Sequence, residues 1–185
     1  MVVQKTLAQR PPPPKPRYDI LCVFVIENSK HIGFQINALY DNIIKRVFTK
    51  LRQQIPPEDS TYNSKTSPCV KLGVVYFGDY EPYSEVTCEA QHFLINYRQF
   101  EKNVKSHAFT DTGLLRVATI EGLVGALEMF DEYDEHNPEV NITVLYQRHC
   151  FLISTTPPYL DPCRCNKMER YDGYTFQDVA ARMKE

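Results

Sequence analysis

Five polar side chains carry the most suggestive chemistry in this sequence. Glu27, Ser29 and His31 stand at alternate positions directly after the most apolar run of the chain. Thr119 and Thr155 each stand beside a later apolar segment. All five belong to segments that an alternating strand and helix topology would bring together at one end of a sheet.

Other reactive side chains give no catalytic arrangement. His149 and Cys150 are adjacent, so on a strand their side chains point to opposite faces and cannot act as base and nucleophile. Cys163 and Cys165 could contribute to a zinc site, but a second pair of ligands at suitable spacing is missing, and a mobile loop is the simpler interpretation. The seven glycines form no phosphate loop, dinucleotide fingerprint or nucleophile elbow. We expect neither an enzyme nor a bound cofactor.

The element that must position the Glu27 turn is a buried strand. The apolar run from Ile20 to Ile26 predicts a strand buried on both faces of a parallel sheet. The residues after it show apolar positions every three or four residues, which predicts a helix from about Gly33 to Gln53. Open α/β sheets keep their ligand sites at the carboxyl ends of the strands. The turn between Glu27 and Gly33 lies at such a position.

Strands and helices continue to alternate along the chain. Further strands are predicted at Val70–Phe77, at 85–90 on the sheet edge, and within 140–153, most clearly at Cys150–Ile153. Further helices are predicted from Tyr97 to Ala108, from a cap at Thr119, and from a capping box at Thr175–Asp178. The pattern predicts an α/β, Rossmann-like fold with a mostly parallel sheet and helices on both faces. The last helix would normally lead into another parallel strand, so we expect a terminal strand to be lacking.

The helix that begins near Thr119 is predicted to be amphipathic. Its apolar stripe should face the sheet, while four acidic residues should face water: Glu121, Glu128, Asp131 and Glu132. The acidic cluster from Asp131 to Glu135 could be a docking patch for a basic partner. Because charge runs are usually solvated, we expect an ordinary exposed helix end.

Composition predicts one domain preceded by a leader. The chain has 185 residues, 43% of them hydrophobic, which suffices for one core over residues 19–185. Residues 1–18 are rich in proline and basic residues, and we expect an extended, disordered leader, with an SH3 or WW domain as a possible partner. The net charge of −2 argues against direct nucleic-acid binding. Without a membrane span or secretory signal, the six cysteines are expected to be reduced thiols of an intracellular protein.

The predicted arrangement resembles a von Willebrand factor A (VWA) domain. In that family, an Asp-x-Ser-x-Ser turn, a later Thr and a later Asp coordinate a divalent cation that binds an acidic group of the ligand. The resemblance places Glu27, Ser29 and His31 on the turn, Thr119 at the Thr and Thr155 at the final Asp. An imidazole replaces a hydroxyl and only one carboxylate is left, so the ion's charge would be poorly balanced. We expect a degenerate site that holds no metal, with Ser29 and His31 hydrogen-bonded locally.

A closer resemblance covers about residues 19–185. The run Val23–Glu27, the pattern from Gly122 to Asp131, and Cys150–Ile153 followed by Pro157-Pro158-Tyr159-Leu160 are similar to the VWA domain of the Mediator complex subunit 25 family. The resemblance implies a non-catalytic scaffold that acts in the nucleus. It would tether its subunit to other Mediator subunits in transcription regulation by RNA polymerase II. The alternative is a metal-dependent VWA domain that captures an acidic group of a protein partner through Mg²⁺.

Overall fold

The central strand β1 spans Arg17–Glu27 and pairs in parallel with a neighbour on each side. In this computed structural model, the described residues are 17–55, 69–111, 113, 115–137 and 144–184. Every side chain from Ile20 to Ile26 is fully buried. Because successive strand residues point to opposite faces, both faces of β1 are covered. The prediction of a central strand buried on both faces is confirmed.

Three further strands complete a sheet of order β3-β2-β1-β4. They are β2 (Val70–Phe77), β3 (Cys88–Leu94) and β4 (Val144–Ile153). β3 pairs antiparallel with β2, and the other pairs are parallel. The edge strand was expected at 85–90, whereas β3 begins three residues later and ends four residues later. Its predicted start is instead a turn, in which the Val86 amide donates to the Ser84 hydroxyl and the Gly78 amide donates to the Thr87 carbonyl.

The helices occupy most of the predicted segments. They are α1 (Lys30–Leu39), α2 (Lys45–Gln54), α3 (Tyr97–Ser106), α4 (Thr119–His136) and α5 (Phe176–Arg182). A π-helical turn at Tyr40–Ile44 joins α1 to α2, so the single helix predicted there contains an irregular turn. The capping box that opens α5 is present: the Thr175 hydroxyl accepts from the Asp178 amide, and the Thr175 amide donates to the Asp178 carboxylate.

The two faces of the sheet have separate apolar cores. On one face, alternate β1 side chains such as Phe24 pack with residues of the α1, α2 and α3 region. On the other face, the intervening side chains such as Val23 pack with α4. Cys150 contacts the second core while Phe151 contacts the first, as expected for neighbours on a strand. The predicted α/β fold, with a mostly parallel sheet and helices on both faces, is confirmed.

The prediction that the acidic side chains of α4 face water is wrong for three of the four residues. Glu121, Glu128 and Asp131 are at most 8% exposed. Residues 163–184, the C-terminal segment, pack along the outer side of α4 and form a third apolar cluster with it. One oxygen of Glu121 accepts hydrogen bonds from the Tyr80 hydroxyl at 2.6 Å and from the Arg164 amide at 2.9 Å.

The other two buried acids of α4 also hold the C-terminal segment. Glu128 accepts from the backbone amides of Lys167 at 2.6 Å and Met168 at 2.7 Å. Asp131 accepts from the Tyr171 hydroxyl and forms an ion pair with Arg170 at 3.3 Å. Of the acidic cluster from Asp131 to Glu135, Asp131 is therefore buried against its own chain, contrary to the expected solvated helix end, whereas Glu135 is exposed as expected.

Cys163 and Cys165 stand at the start of the C-terminal segment, which packs against α4. Cys163 is buried, and its amide donates to the Tyr174 carbonyl at 2.8 Å. Cys165 is exposed. All six cysteines are free thiols. Within the described residues, no group of three or more His, Cys, Asp or Glu side chains could hold a metal ion.

Candidate functional site

Glu27, the last residue of β1, places its carboxylate at the carboxyl end of the sheet. One carboxylate oxygen accepts from the Ser154 hydroxyl at 2.8 Å, from the Thr155 amide at 2.7 Å and from the Thr156 amide at 2.9 Å. The other oxygen accepts from the Thr156 hydroxyl at 2.7 Å. These contacts join the end of β1 to the loop that follows β4.

The surroundings of Glu27 favour its ionised form. Burial alone would raise the pKa of the carboxyl group, because it disfavours the charge. Hydrogen bonds from the Ser29 and Thr156 side chains and from the Thr155 and Thr156 amides outweigh burial and lower the pKa to about 2. The carboxylate is therefore charged at neutral pH, and its charge is compensated by protein donors.

A glycine backbone covers the same carboxylate. Gly113 has φ +60°, a left-handed conformation that favours glycine. A Cβ at this position would lie 2.9 Å from Ser29 Cβ and 3.3 Å from both Glu27 Oε1 and Thr156 Oγ1. The Thr156 hydroxyl also reaches the Gly113 carbonyl at 3.4 Å. The Gly113 backbone therefore lies close to both Glu27 and Ser29, and a side chain at this position would crowd them.

Ser29 is buried and serves as the N-cap of α1. Its hydroxyl accepts from the Ile32 amide at 3.4 Å. The backbone on either side of it pairs with Asp111: the Lys30 amide donates to the Asp111 carbonyl at 2.8 Å, and the Asp111 amide donates to the Asn28 carbonyl at 3.1 Å. The β1–α1 turn is thus fixed to the segment that follows α3.

Asp111 is a second buried carboxylate at this end of the sheet, and the sequence did not reveal it. The Ser84 hydroxyl lies 2.9 Å from both of its carboxylate oxygens. Gly78 makes room for it, since a Cβ there would lie 1.6 Å from Asp111 Oδ2. Burial raises the pKa of Asp111, opposed by the hydrogen bond from Ser84. Asp111 therefore joins the loop after β2 to the β1–α1 turn.

The structure brings together only some of the five predicted site residues. Glu27, Ser29 and Thr155 share one hydrogen-bonded cluster. His31 is exposed, and its ring contacts the Gln35 amide group at 3.2 Å instead. Thr119 is the first residue of α4 and not its cap, and within the described residues its buried hydroxyl has no hydrogen-bond partner.

Sequence reasoning missed four contributors: Ser154, Thr156, Gly113 and Asp111. The hydroxyl run Ser154-Thr155-Thr156 directly after a predicted strand was the available signal for the first two. Only the middle residue of that run had been assigned a role.

Four large apolar side chains project from segments at this end of the sheet. We call Phe34, Tyr83, Leu115 and Leu160 the apolar rim. Phe34 lies in the first turns of α1, and the others lie in the connections after β2, before α4 and after β4. Each is between 70 and 89% exposed. Where exposed apolar side chains form one patch, they mark interaction sites on soluble domains.

The α/β sheet and the hydroxyl and carboxylate cluster at its carboxyl end define a VWA-type domain. The sequence model of the family described as Mediator complex subunit 25 von Willebrand factor type A matches residues 16–185. The chain therefore belongs to this family. A search of curated proteins gave no match.

Family membership associates the chain with a Mediator subunit and hence with transcription. The family is in general nuclear and non-catalytic, and a subunit of this complex interacts with other Mediator proteins. No helix in the described part of the chain combines the length and apolar character needed to cross a lipid bilayer.

Proposed function

We propose that this chain is a non-catalytic protein-interaction module that tethers its subunit to other Mediator subunits in the nucleus, without a metal ion. One observation carries the proposal: the oxygens of Glu27 already accept hydrogen bonds from the loop after β4. A cation at this carboxylate would have to displace those donors. The degenerate positions Glu27, Ser29, His31, Thr119 and Thr155 are thus proposed to hold no metal.

The hydrogen bonds give the loops the connections that a shared cation would otherwise provide. Glu27 links β1 to the loop after β4, and Asp111 links the β1–α1 turn to the loop after β2. Charge-assisted hydrogen bonds of this kind are short and roughly twice as strong as neutral ones. Loops held in this way present the apolar rim as a fixed surface.

The apolar rim is proposed as the tethering surface. Apolar side chains at the centre of an interface supply most of the binding energy when the partner excludes water from them. None of the four rim residues contributes to the buried core of the described chain. These four side chains therefore do not stabilise the isolated domain by burial.

No catalytic role is proposed for the exposed or partly buried thiols. Burial raises the pKa of Cys150 to about 12, so this thiol is neutral at physiological pH and a poor nucleophile. His149 lies beside it on β4, and burial lowers the pKa of its imidazole. The Pro-rich leader was predicted to span residues 1–18, with an SH3 or WW domain as a possible partner. Residues 1–16 lie outside the described part of the chain, whereas Arg17 and Tyr18 are the first two residues of β1 and not part of a disordered leader.

The test is affinity purification of the tagged chain from nuclear extract, followed by mass spectrometry. The variant Leu115→Ser/Leu160→Ser should lose most of the co-purifying Mediator subunits, while keeping the circular dichroism of the unmodified chain. The matched control is Ile95→Ser. Ile95 is also exposed, but it follows β3, which runs antiparallel to β2, and therefore lies at the end of the sheet opposite to the apolar rim. Equal recovery of Mediator subunits with both variants would refute the rim as the tether.

The metal-dependent alternative has one observation in its favour, the buried Thr119 hydroxyl that has no partner in the described chain. Titration calorimetry with MgCl₂ separates the two functions. We expect no heat of binding. Micromolar binding that is abolished by Glu27→Ala would establish the metal-dependent function instead.

A further inference from the structure

Helix α2 carries an exposed surface that the proposed function does not use. Four basic side chains, Lys45, Arg46, Lys50 and Arg52, are exposed along its ten residues, and the helix contains no acidic residue. We call these four the basic face. The opposite side of α2 is anchored: Leu51 is buried, and the Phe48 ring stacks on Tyr97 with 4.3 Å between centroids. The basic face therefore has a fixed orientation.

Acidic side chains of the described residues do not neutralise the basic face. None of the four side chains forms an ion pair in the described structure, whereas Arg148 and Arg170 pair with acids of α4. The nearest acid on the preceding turn, Asp41, is 3.3 Å from Lys105 of α3. A local excess of positive charge remains.

This excess stands against an acidic background. The chain has 21 basic and 23 acidic residues. Without the four residues of the basic face, 17 basic residues remain against 23 acidic ones, a net charge of −6. The positive charge of α2 is therefore a local feature of a protein that is otherwise acidic. The electric field of these four side chains attracts anionic groups to this surface.

The spacing of the side chains defines the shape of the surface. Ile43, which is 43% exposed, precedes Arg46 by three residues and Lys50 by seven, so these three share one side of the helix surface. Lys45 and Arg52, seven residues apart, lie on the other flank. Ten helical residues span about 15 Å. The surface thus offers two short rows of cations with an apolar side chain at one end.

We propose that the basic face of α2 binds a short acidic segment of a partner protein, with Ile43 contacting an apolar side chain of that segment. Charge complementarity selects an anionic partner. Two features favour a peptide over a nucleic acid. The net charge of −6 elsewhere repels an extended polyanion, and α2 presents no exposed aromatic ring for base stacking.

This surface is distinct from the apolar rim. α1 begins at the carboxyl end of β1, and α2 continues it toward the amino end of β2, where Leu51 shares a core with Val70. The inference goes beyond tethering through the rim and does not depend on it. The apolar rim and the basic face are tested by separate experiments, so a negative result for one surface does not count against the other.

The test uses the full chain and a fluorescein-labelled 12-residue peptide of Glu, Asp and Leu with eight negative charges. Fluorescence anisotropy in 50 mM NaCl should show binding that Arg46→Glu/Lys50→Glu weakens by about tenfold or more, since attraction becomes repulsion at two positions. The control is Lys30→Glu/Lys184→Glu, which changes the net charge by the same amount. Both of these lysines are exposed, and neither forms an ion pair in the described part of the chain. It should change the affinity by less than about twofold.

Three results would overturn the proposal. Equal weakening by both double variants would show a general effect of net charge. Equal binding of a peptide with Gln and Asn in place of the acids would show that charge is not recognised. Tighter binding of a 12-nucleotide single-stranded DNA than of the acidic peptide would assign the surface to nucleic acid. Raising NaCl from 50 to 150 mM should weaken the peptide complex, because salt screens exposed charges.

Discussion

Replacing Glu27 with Gln removes one charge from the centre of the site while nearly preserving the shape of the side chain. Hydrogen bonds to the carboxylate lower its pKa from 4.5 to about 2. One pKa unit corresponds to about 1.4 kcal/mol, so the ionised carboxylate stabilises the folded chain by about 3 kcal/mol at neutral pH. Glu27→Gln should lose a stabilisation of this order, because an amide carbonyl accepts more weakly than a carboxylate.

The pH dependence distinguishes the lost charge from a simple packing defect. Since the folded-state pKa is depressed, the stabilisation is complete above pH 4.5 and is lost as the pH falls towards 2. At pH 3, the wild-type chain should have lost about 2 kcal/mol of it. The difference in stability between wild type and Glu27→Gln should therefore narrow by about 2 kcal/mol from pH 7 to pH 3.

Urea unfolding followed by tyrosine fluorescence and circular dichroism at the two pH values measures this difference. Glu85→Gln is the matched control, because Glu85 is exposed and the same substitution there should leave stability within about 0.5 kcal/mol at both pH values. The reasoning would be refuted if the difference in the free energy of unfolding between wild type and Glu27→Gln were the same at pH 7 and pH 3. It would show that the carboxylate is not held ionised by its donors.

Three further predictions concern the loops, the core and the C-terminal segment. Gly113→Ala should destabilise the chain by about 2 kcal/mol more than Gly173→Ala in urea unfolding, because both have positive φ but only Gly113 lacks room for a Cβ. Phe24→Ala should cost about 3–5 kcal/mol, seen as a lower melting temperature, because Phe24 is fully buried between Phe100 and Phe151. Glu128→Ala should cost about 2 kcal/mol and accelerate hydrogen exchange at the C-terminal segment, since two amides lose their acceptor; unchanged exchange there would contradict it.

The fold could be predicted where one periodic pattern decides the structure. The uninterrupted apolar run of β1 admits few alternatives, and the stripe that begins after it extends across α1 and α2. The acidic side of α4 could not be predicted in this way. Helix periodicity treats a helix as isolated, whereas one oxygen each of Glu121 and Glu128 accepts from backbone amides of a distant segment. Every residue except proline carries the same backbone N–H, so the sequence does not show which backbone amides will bind a buried acid.

The site was predicted in position but not in detail. Glu27 and Ser29 follow directly from their place at the end of β1. His31 was misplaced because the alternation that aligns every second side chain holds only for extended backbone. Ser29 is the N-cap, and His31 already lies in the first turn of α1, which rotates its side chain away from Glu27. Asp111 lies in an irregular connection, where no periodic pattern could have identified it.

The π-helical turn at Tyr40–Ile44 accommodates one residue more than an α-helical turn would. Removing one residue from this turn would therefore leave regular α-helix, and the side chains of α2 would keep their orientation. Removing one residue from α2 itself, between Lys45 and Phe48, would instead rotate the side chains after it by about 100° around the helix axis. Leu51 would then leave the sheet, and Arg52 would be directed toward apolar neighbours. A one-residue deletion in the π-helical turn should therefore be tolerated better than the same deletion in α2.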